Sequence, residues 1–342
     1  MNEKQFRGKI TWFSFLFSLL VIWVHSYNAE LFLGVSADGT AVDELEHWIG
    51  DHVGQIAVPG FFMISGYLFY RDFSWEKLSG KWRRRIQSVL VPYIVWNFLY
   101  YLGYVISSRL PGLHQIVGKG VIPFDLPTAV DAVTNYTYNY VFWYLYQLIL
   151  LILLAPVIYL LVKRRWSGML YLILLWVLLI CGAQLPFVNL DALIYYSTAA
   201  FLAVHYKEQT ETAGSRIRSA SGVLMVLASA GIYHYGLWKA AIWCFVLCRL
   251  LTAAGLWLAA AGEKLPQPRE WMQGHFFLYA THFAFVRLIN KTAVRIFPGC
   301  FAAALLLYIL MPGLILGITS AAAAVMRRWM PPVWKILNGG RR

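Results

Sequence analysis

The sequence predicts an all-α polytopic membrane protein of about ten transmembrane helices, with both termini in the cytoplasm. Three observations carry that prediction. Of 342 residues, 60% are hydrophobic and only 13% charged, where a soluble domain carries about a quarter charged residues. The apolar residues fall into blocks of roughly 16–26, close to the ~20 that cross a ~30 Å hydrocarbon core at ~1.5 Å per residue. The Lys and Arg residues lie overwhelmingly on alternate loops.

The spans read near 10–28, 55–70, 86–106, 140–162, 168–184, 191–206, 219–233, 237–261, 275–291 and 300–325. On that assignment 22 of the 29 Lys and Arg sit on the side of the termini. Five lie opposite (Arg109, Lys119, Lys239, Lys291 and Arg295), and Arg249 and Arg287 lie inside spans. Cationic loops stay in the cytoplasm, so the net charge of +13 is topological. It is no footprint of a nucleic-acid partner. The partner it implies is the lipid bilayer, and residues 1–342 read as a single membrane domain.

Taken in order, the first span closes in Leu-Leu-Val-Ile-Trp-Val-His25 with no small-residue processing site, as expected of a retained signal anchor. The loop 29–54 carries Glu30, Asp38, Asp43, Glu44, Glu46 and Asp51 but no Lys or Arg, and a short surface helix is expected over 42–53. Its acidity follows from the charge rule, with acceptor binding as the other reading. The second span contains Gly60, Ser65 and Gly66, which suit close helix packing. A basic hairpin with Lys81, Arg83, Arg84 and Arg85 leads to the third span at Val91-Pro92-Tyr93. The loop 107–139, with Pro111, Gly112, Gly118, Gly120, Pro123 and Pro127, is expected to be irregular. Tyr136 to Tyr144 form an aromatic cluster, which reads either as an interfacial belt or as a surface for a sugar ring. Cys181, Cys244, Cys248 and Cys300 fall in or beside spans and are expected to be buried apolar residues; no metal site is expected from them.

Ionisable groups inside hydrocarbon are the informative class, because each costs about 2.5–3.5 kcal/mol at mid-bilayer on insertion scales. Here they are His25, Arg249, His282 and Arg287, with no Asp or Glu deep in a span. That lack counts against an ion-coupled transporter. His25, about 22 Å of helix beyond Ile10, is placed in the outer part of the bilayer. An imidazole there can take a proton from a hydroxyl and return it to a leaving group, or simply bond a neighbouring carbonyl. Arg249 is midway along the eighth span and needs an anion or carbonyls. It reads either as a contact to an anionic substrate group or a developing oxyanion in a transition state, or as a structural arginine. His282, about 10 Å from the start of its span, is placed well below His25, so that a direct dyad is not expected. It reads as an interior histidine or a second base.

The wording FFMISGYLFY, then a basic run, then VPYIVW resembles the integral-membrane acyltransferase 3 family. FWYLYQLILLILLAPVIYLL and FFLYATHF extend the resemblance over most of the chain. The resemblance implies transfer of an acyl group, often acetyl from acetyl-CoA, to cell-surface carbohydrate. It implies a catalytic role for His25 and matches Tyr279 and His282 to a late-span pair. It also implies basic residues at Arg83, Arg84 and Arg85, where clustered arginines suit the phosphates of CoA. Many members carry an arginine eleven residues before the histidine, where this chain has Ser14.

The sequence therefore points to a multi-pass O-acetyltransferase of the cell (inner) membrane, with acetyl-CoA as co-substrate and a glycan as acceptor. A transporter or flippase for a glycolipid or small solute is the alternative, and a catalytically silent relative is a third reading raised by Ser14.

Overall fold

The computed structural model describes residues 1–341, apart from the side chains of residues 116 and 117. Every regular element among them is helical. The first helix, α1 (Glu3–Val24), ends at the turn that carries His25, and α2 (Ala29–Leu33) follows at once. The acidic loop then forms α3 (Ala41–His47), whose first turn is capped by Thr40 accepting from the Asp43 amide. Through π and 3-10 turns α3 runs on into α4 (Ala57–Tyr70), so the short helix expected at 42–53 is present. Helix α5 (Leu78–Arg85) carries the basic run, and α6 (Val91–Ser107) has Pro92 in its first turn, where its missing N–H is no loss.

The loop 107–139 is not irregular throughout. It holds α7 (Leu113–Val117) and α8 (Leu126–Thr134). Asp125 caps α8 by accepting from the Thr128 amide, and Pro127 occupies its first turn; the prolines and glycines delimit helices instead of preventing them. The fourth block is bent by 62° between α9 (Trp143–Leu153) and α10 (Ala155–Val162), because Pro156 cannot donate to the preceding turn. Then follow α11 (Arg165–Ile180), α12 (Leu190–His205), α13 (Lys207–Glu211), α14 (Arg216–Lys239), α15 (Ile242–Ala259), α16 (His275–Ile296), α17 (Phe301–Trp329) and α18 (Pro331–Leu337).

Among the described residues, six helical stretches are long and apolar enough to cross a membrane, or up to seven if the bent pair is one span, against about ten expected; α11 and α12 are shorter apolar helices. Large apolar side chains face outward along these elements, Leu170 at 66% and Leu224 and Leu227 at 64% exposure among them. Water would penalise that surface and lipid does not.

By contacts the chain forms two compact units. The first comprises 1–17, 55–82 and 147–272, the second 18–54, 83–146 and 273–342. In the first, α4 lies against α12 and α14 against α15. A Cβ on Gly66 would come within 2.6 Å of the Tyr196 carbonyl oxygen, so the small residue of the FFMISGYLFY run serves helix contact, as its sequence suggests. In the second, α16 packs on α17, and α6 on α8 and α18. Cys244 and Cys248 are buried as expected, but Cys300 is only half-buried and Cys181 exposed. Cys181 follows the last turn of α11, whose apolar face looks outward.

Candidate active site

The second unit brings His25, Tyr279 and His282 together. Ser18 on α1 donates to the His275 carbonyl at 3.4 Å. His25 lies seven residues beyond Ser18, and His282 seven beyond His275. The two helices run in the same direction, so both histidines stand about 10 Å past that shared level. Their rings meet at 5.3 Å between centroids. The expectation that His282 lies well below His25 is therefore wrong. Its premise was that α16 begins at the membrane surface, whereas His275 is already level with Ser18. No direct hydrogen bond joins the two rings, as expected.

His25 is half-buried at the turn ending α1. Its Nδ1 is 3.0 Å from the Tyr140 hydroxyl. Its Nε2 has no partner among the described residues and is not sealed from open space. That is the arrangement a proton acceptor needs: one nitrogen held, the other free. His282 is fully buried. Its Nδ1 is 2.5 Å from the Tyr279 carbonyl, and a carbonyl only accepts, so Nδ1 carries the proton. Nε2 is left as a buried acceptor with no partner among the described residues. Tyr279 ties the pair to its surroundings by donating to the Val141 carbonyl at 2.7 Å and stacking on Phe142 at 5.6 Å, 8° from parallel. It thereby fixes the 140–142 turn that presents Tyr140. Asn139, the residue before Tyr140, is wholly buried with neither amide atom bonded. Such a group costs ~1–3 kcal/mol unless a partner arrives.

A second feature lies at the other end of α16. Arg83 and Arg84 are exposed and Arg85 is half-buried. The Arg341 guanidinium sits 4.2 Å over the Phe276 ring. Burial, and then the charge of nearby Arg85, pull Arg341 down to about 10. Arg327 lies 4.8 Å over Trp334, its Nε buried and unbonded. Phe276 precedes His282 by six residues, about 9 Å along the helix. Arg85 at the end of the basic run and Arg341 of the C-terminal tail thus lie near one another, with Arg341 on Phe276, about 9 Å along α16 from His282.

The family model described as "Acyltransferase domain" matches residues 8–326. The chain belongs to the acyltransferase 3 family. The succinoglycan biosynthesis protein ExoH of Rhizobium meliloti (strain 1021) is similar, 25% identical over 358 residues, covering 94% of this chain and 89% of that protein. No solved structure matches the chain significantly.

Within the acyltransferase frame, Ser14 is buried on α1, at the position where the resemblance gives many members an arginine. Lys9, one turn or so earlier, is also buried, but its ammonium is taken up: it donates to the Trp257 carbonyl at 2.6 Å and lies 4.1 Å over that indole. Arg249 belongs to the first unit. Its Nε is buried and unbonded, and Asp191 and Tyr195 lie within electrostatic range. Two residues escaped the sequence reading as site members. Tyr140 was visible only as one aromatic of a run, and Arg341 only as a tail cation. No spacing signal links either to its partner, because the contacts join parts of the chain far apart in sequence, His25 with Tyr140 and Phe276 and Arg85 with Arg341.

Proposed function

We propose that residues 1–342 form one membrane O-acyltransferase domain that moves an acetyl group from acetyl-CoA to a hydroxyl of a cell-surface or exported glycan. The reading includes about ten spans, cytoplasmic termini and residence in the inner membrane. The observation that carries it is the His25 imidazole, with Nδ1 on Tyr140 and Nε2 open.

Acetyl-CoA enters from the cytoplasm with its phosphates on Arg83, Arg84 and Arg85, joined by Arg341. The thioester reaches along α16 towards the histidines. With Nδ1–H donated to the Tyr140 oxygen, Nε2 keeps its lone pair and accepts the proton of the acceptor hydroxyl as its oxygen attacks the thioester carbonyl. The C–S bond breaks, and the CoA thiolate takes the same proton back from Nε2. The products are acetyl ester and free CoA, with the histidine regenerated. Tyr279 and His282 position this wall. Arg249 is assigned a supporting role through charge.

The test uses purified protein, radiolabelled acetyl-CoA and envelope glycan. His25→Ala should lower label transfer by about 10²–10⁴ while membrane insertion is unchanged. Transfer at the wild-type rate, or CoA-independent solute flux by the wild type, sinks the reading.

A further inference from the structure

The first unit holds a cavity of about 400 Å³ among α1, α4, α12, α13, α14 and α15, the size of a small-ligand pocket, ~300–1,000 Å³. On α1 its lining runs from Ile10 to Phe17, on α4 from Tyr67 back to Gly60, and on α14 from Arg218 to Met225. Each interval is seven residues, about 10 Å of helix. Helices α1 and α4 run in opposite directions, since Phe6 meets Tyr67 at 5.9 Å while a Cβ on Gly60 would strike the Phe17 ring. The cavity is a shaft about 10 Å deep.

Polar groups gather at one end of it. Tyr67 donates to Glu211 at 2.7 Å. Trp257 donates to the Thr210 carbonyl at 3.2 Å, and its own carbonyl accepts from Lys9. Lys9 is in turn within electrostatic range of Arg218. Tyr67, Thr210 and Arg218 thus rim the shaft beside the first turns of α1, and Phe13, Phe17, Met63 and Met225 make its depth apolar.

That rim carries more positive charge than the chain answers. Among the described residues the Arg218 amide bonds Ser215 Oγ, but its guanidinium forms no hydrogen bond and no ion pair. Glu211 is occupied by Arg71 and Tyr67. Glu263, also within range of Lys9, accepts from the Gly214 amide at 2.8 Å through one oxygen, and its other oxygen is buried with no partner among the described residues. Two cations, Lys9 and Arg218, are set against that single carboxylate.

We propose that this shaft is a binding site for an anionic phospholipid, which lays one acyl chain along the apolar walls and its phosphate against Arg218. An apolar shaft with its free cation at the rim has the polarity profile of that molecule. A ligand with no net charge would leave the guanidinium without a counter-charge. A guanidinium holds a phosphate through paired, charge-assisted bonds, and basic pockets between membrane helices take lipid head groups. The bilayer that meets the outward-facing Leu224 and Leu227 of α14 supplies the lipid. The site does not depend on the acyl-transfer reading above.

The full chain, purified in dodecyl maltoside and stripped of lipid, is titrated with phosphatidylglycerol or with phosphatidylcholine of the same chains. Native mass spectrometry reads the lipid retained. Wild type should hold one phosphatidylglycerol about tenfold more tightly than phosphatidylcholine, as one charge-assisted bond provides, with the preference shrinking as salt rises. Arg218→Gln should bring the two lipids to equal affinity, and Arg218→Lys should restore part of the difference. Ala254→Phe, which fills the shaft, should lose both lipids with its helical content unchanged. The Arg218 variants alter only the rim, so their outcome stands even if Ala254→Phe fails to fold. Equal affinity for the two lipids in wild type overturns the proposal. So does a preference that survives in Arg218→Gln, lipid retained at wild-type affinity by folded Ala254→Phe, or displacement of phosphatidylglycerol by acetyl-CoA, which would make the rim a donor site.

Discussion

Arg71 in the first unit and Arg341 in the second are both buried or nearly so, yet they meet opposite surroundings. Arg71 is 16% exposed and forms paired bonds to Glu211, at 2.7 Å twice, and to Glu3, at 2.7 and 3.1 Å. Those carboxylates hold its protonated form well above the usual arginine range. Tyr67 donates to the same Glu211 oxygen, and the N-terminal ammonium to the Glu211 carbonyl. Among the described residues, Arg341 has a phenyl ring beneath it, Arg85 and Tyr144 nearby, and the Asn338 carbonyl as the acceptor of its side-chain hydrogen bond. A cation whose charge is answered within the chain holds the chain together. One set against an aromatic face and a like charge, as Arg341 is among the described residues, adds little to holding the chain together.

The largest effect that tests this contrast is on stability. Arg71→Leu should destabilise the protein by roughly 2–3 kcal/mol, below the ~3–5 kcal/mol of a fully buried pair because both partners are partly exposed. Thermal unfolding in detergent checks it, and Arg71→Leu combined with Glu211→Leu should recover much of the loss. Arg341→Gln should behave in the opposite way. Unfolding without ligand should be unchanged or slightly later, while the Kd for acetyl-CoA rises about tenfold. If Arg341→Gln destabilises as much as Arg71→Leu, the contrast is broken. A smaller effect sharpens the site itself. Tyr140→Phe removes the partner of His25 Nδ1 and should lower kcat several-fold, by ~1 kcal/mol, with little change in either KM. A shifted acid limb in the pH–rate profile would separate this from general loosening.

The all-helical, membrane-crossing character was legible because bilayer thickness forces a length on apolar runs, and Gly60, Gly66 and Pro92 have local meanings; of about ten spans expected, six or seven stretches among the described residues are long and apolar enough to cross. The bend at Leu154 was legible in principle, since Pro156 stands in the run. The helices in 107–139 were missed because turn-forming residues outnumber helix formers there, although Asp125-Leu-Pro-Thr is a helix-start pattern. In the site, His25 and His282 could be named but not brought level. Depth was counted from the first apolar residue of each block, and α16 starts inside. Tyr140 and Arg341 depend on contacts between distant parts of the chain, which no periodicity encodes. Cations read as topology markers carry the same letters as cations that bind anions; only their neighbours distinguish them.

The hydrogen bond from Ser18 to the His275 carbonyl acts as a common zero mark for two rulers. Each histidine is read off at the seventh graduation. Adding a single residue to either interval would turn that ring by about 100° and lift it about 1.5 Å, leaving the other facing an empty place. Matching additions to both would restore the facing rings at a new height. The two stretches, more than two hundred positions apart in the chain, are therefore bound to change length only in step.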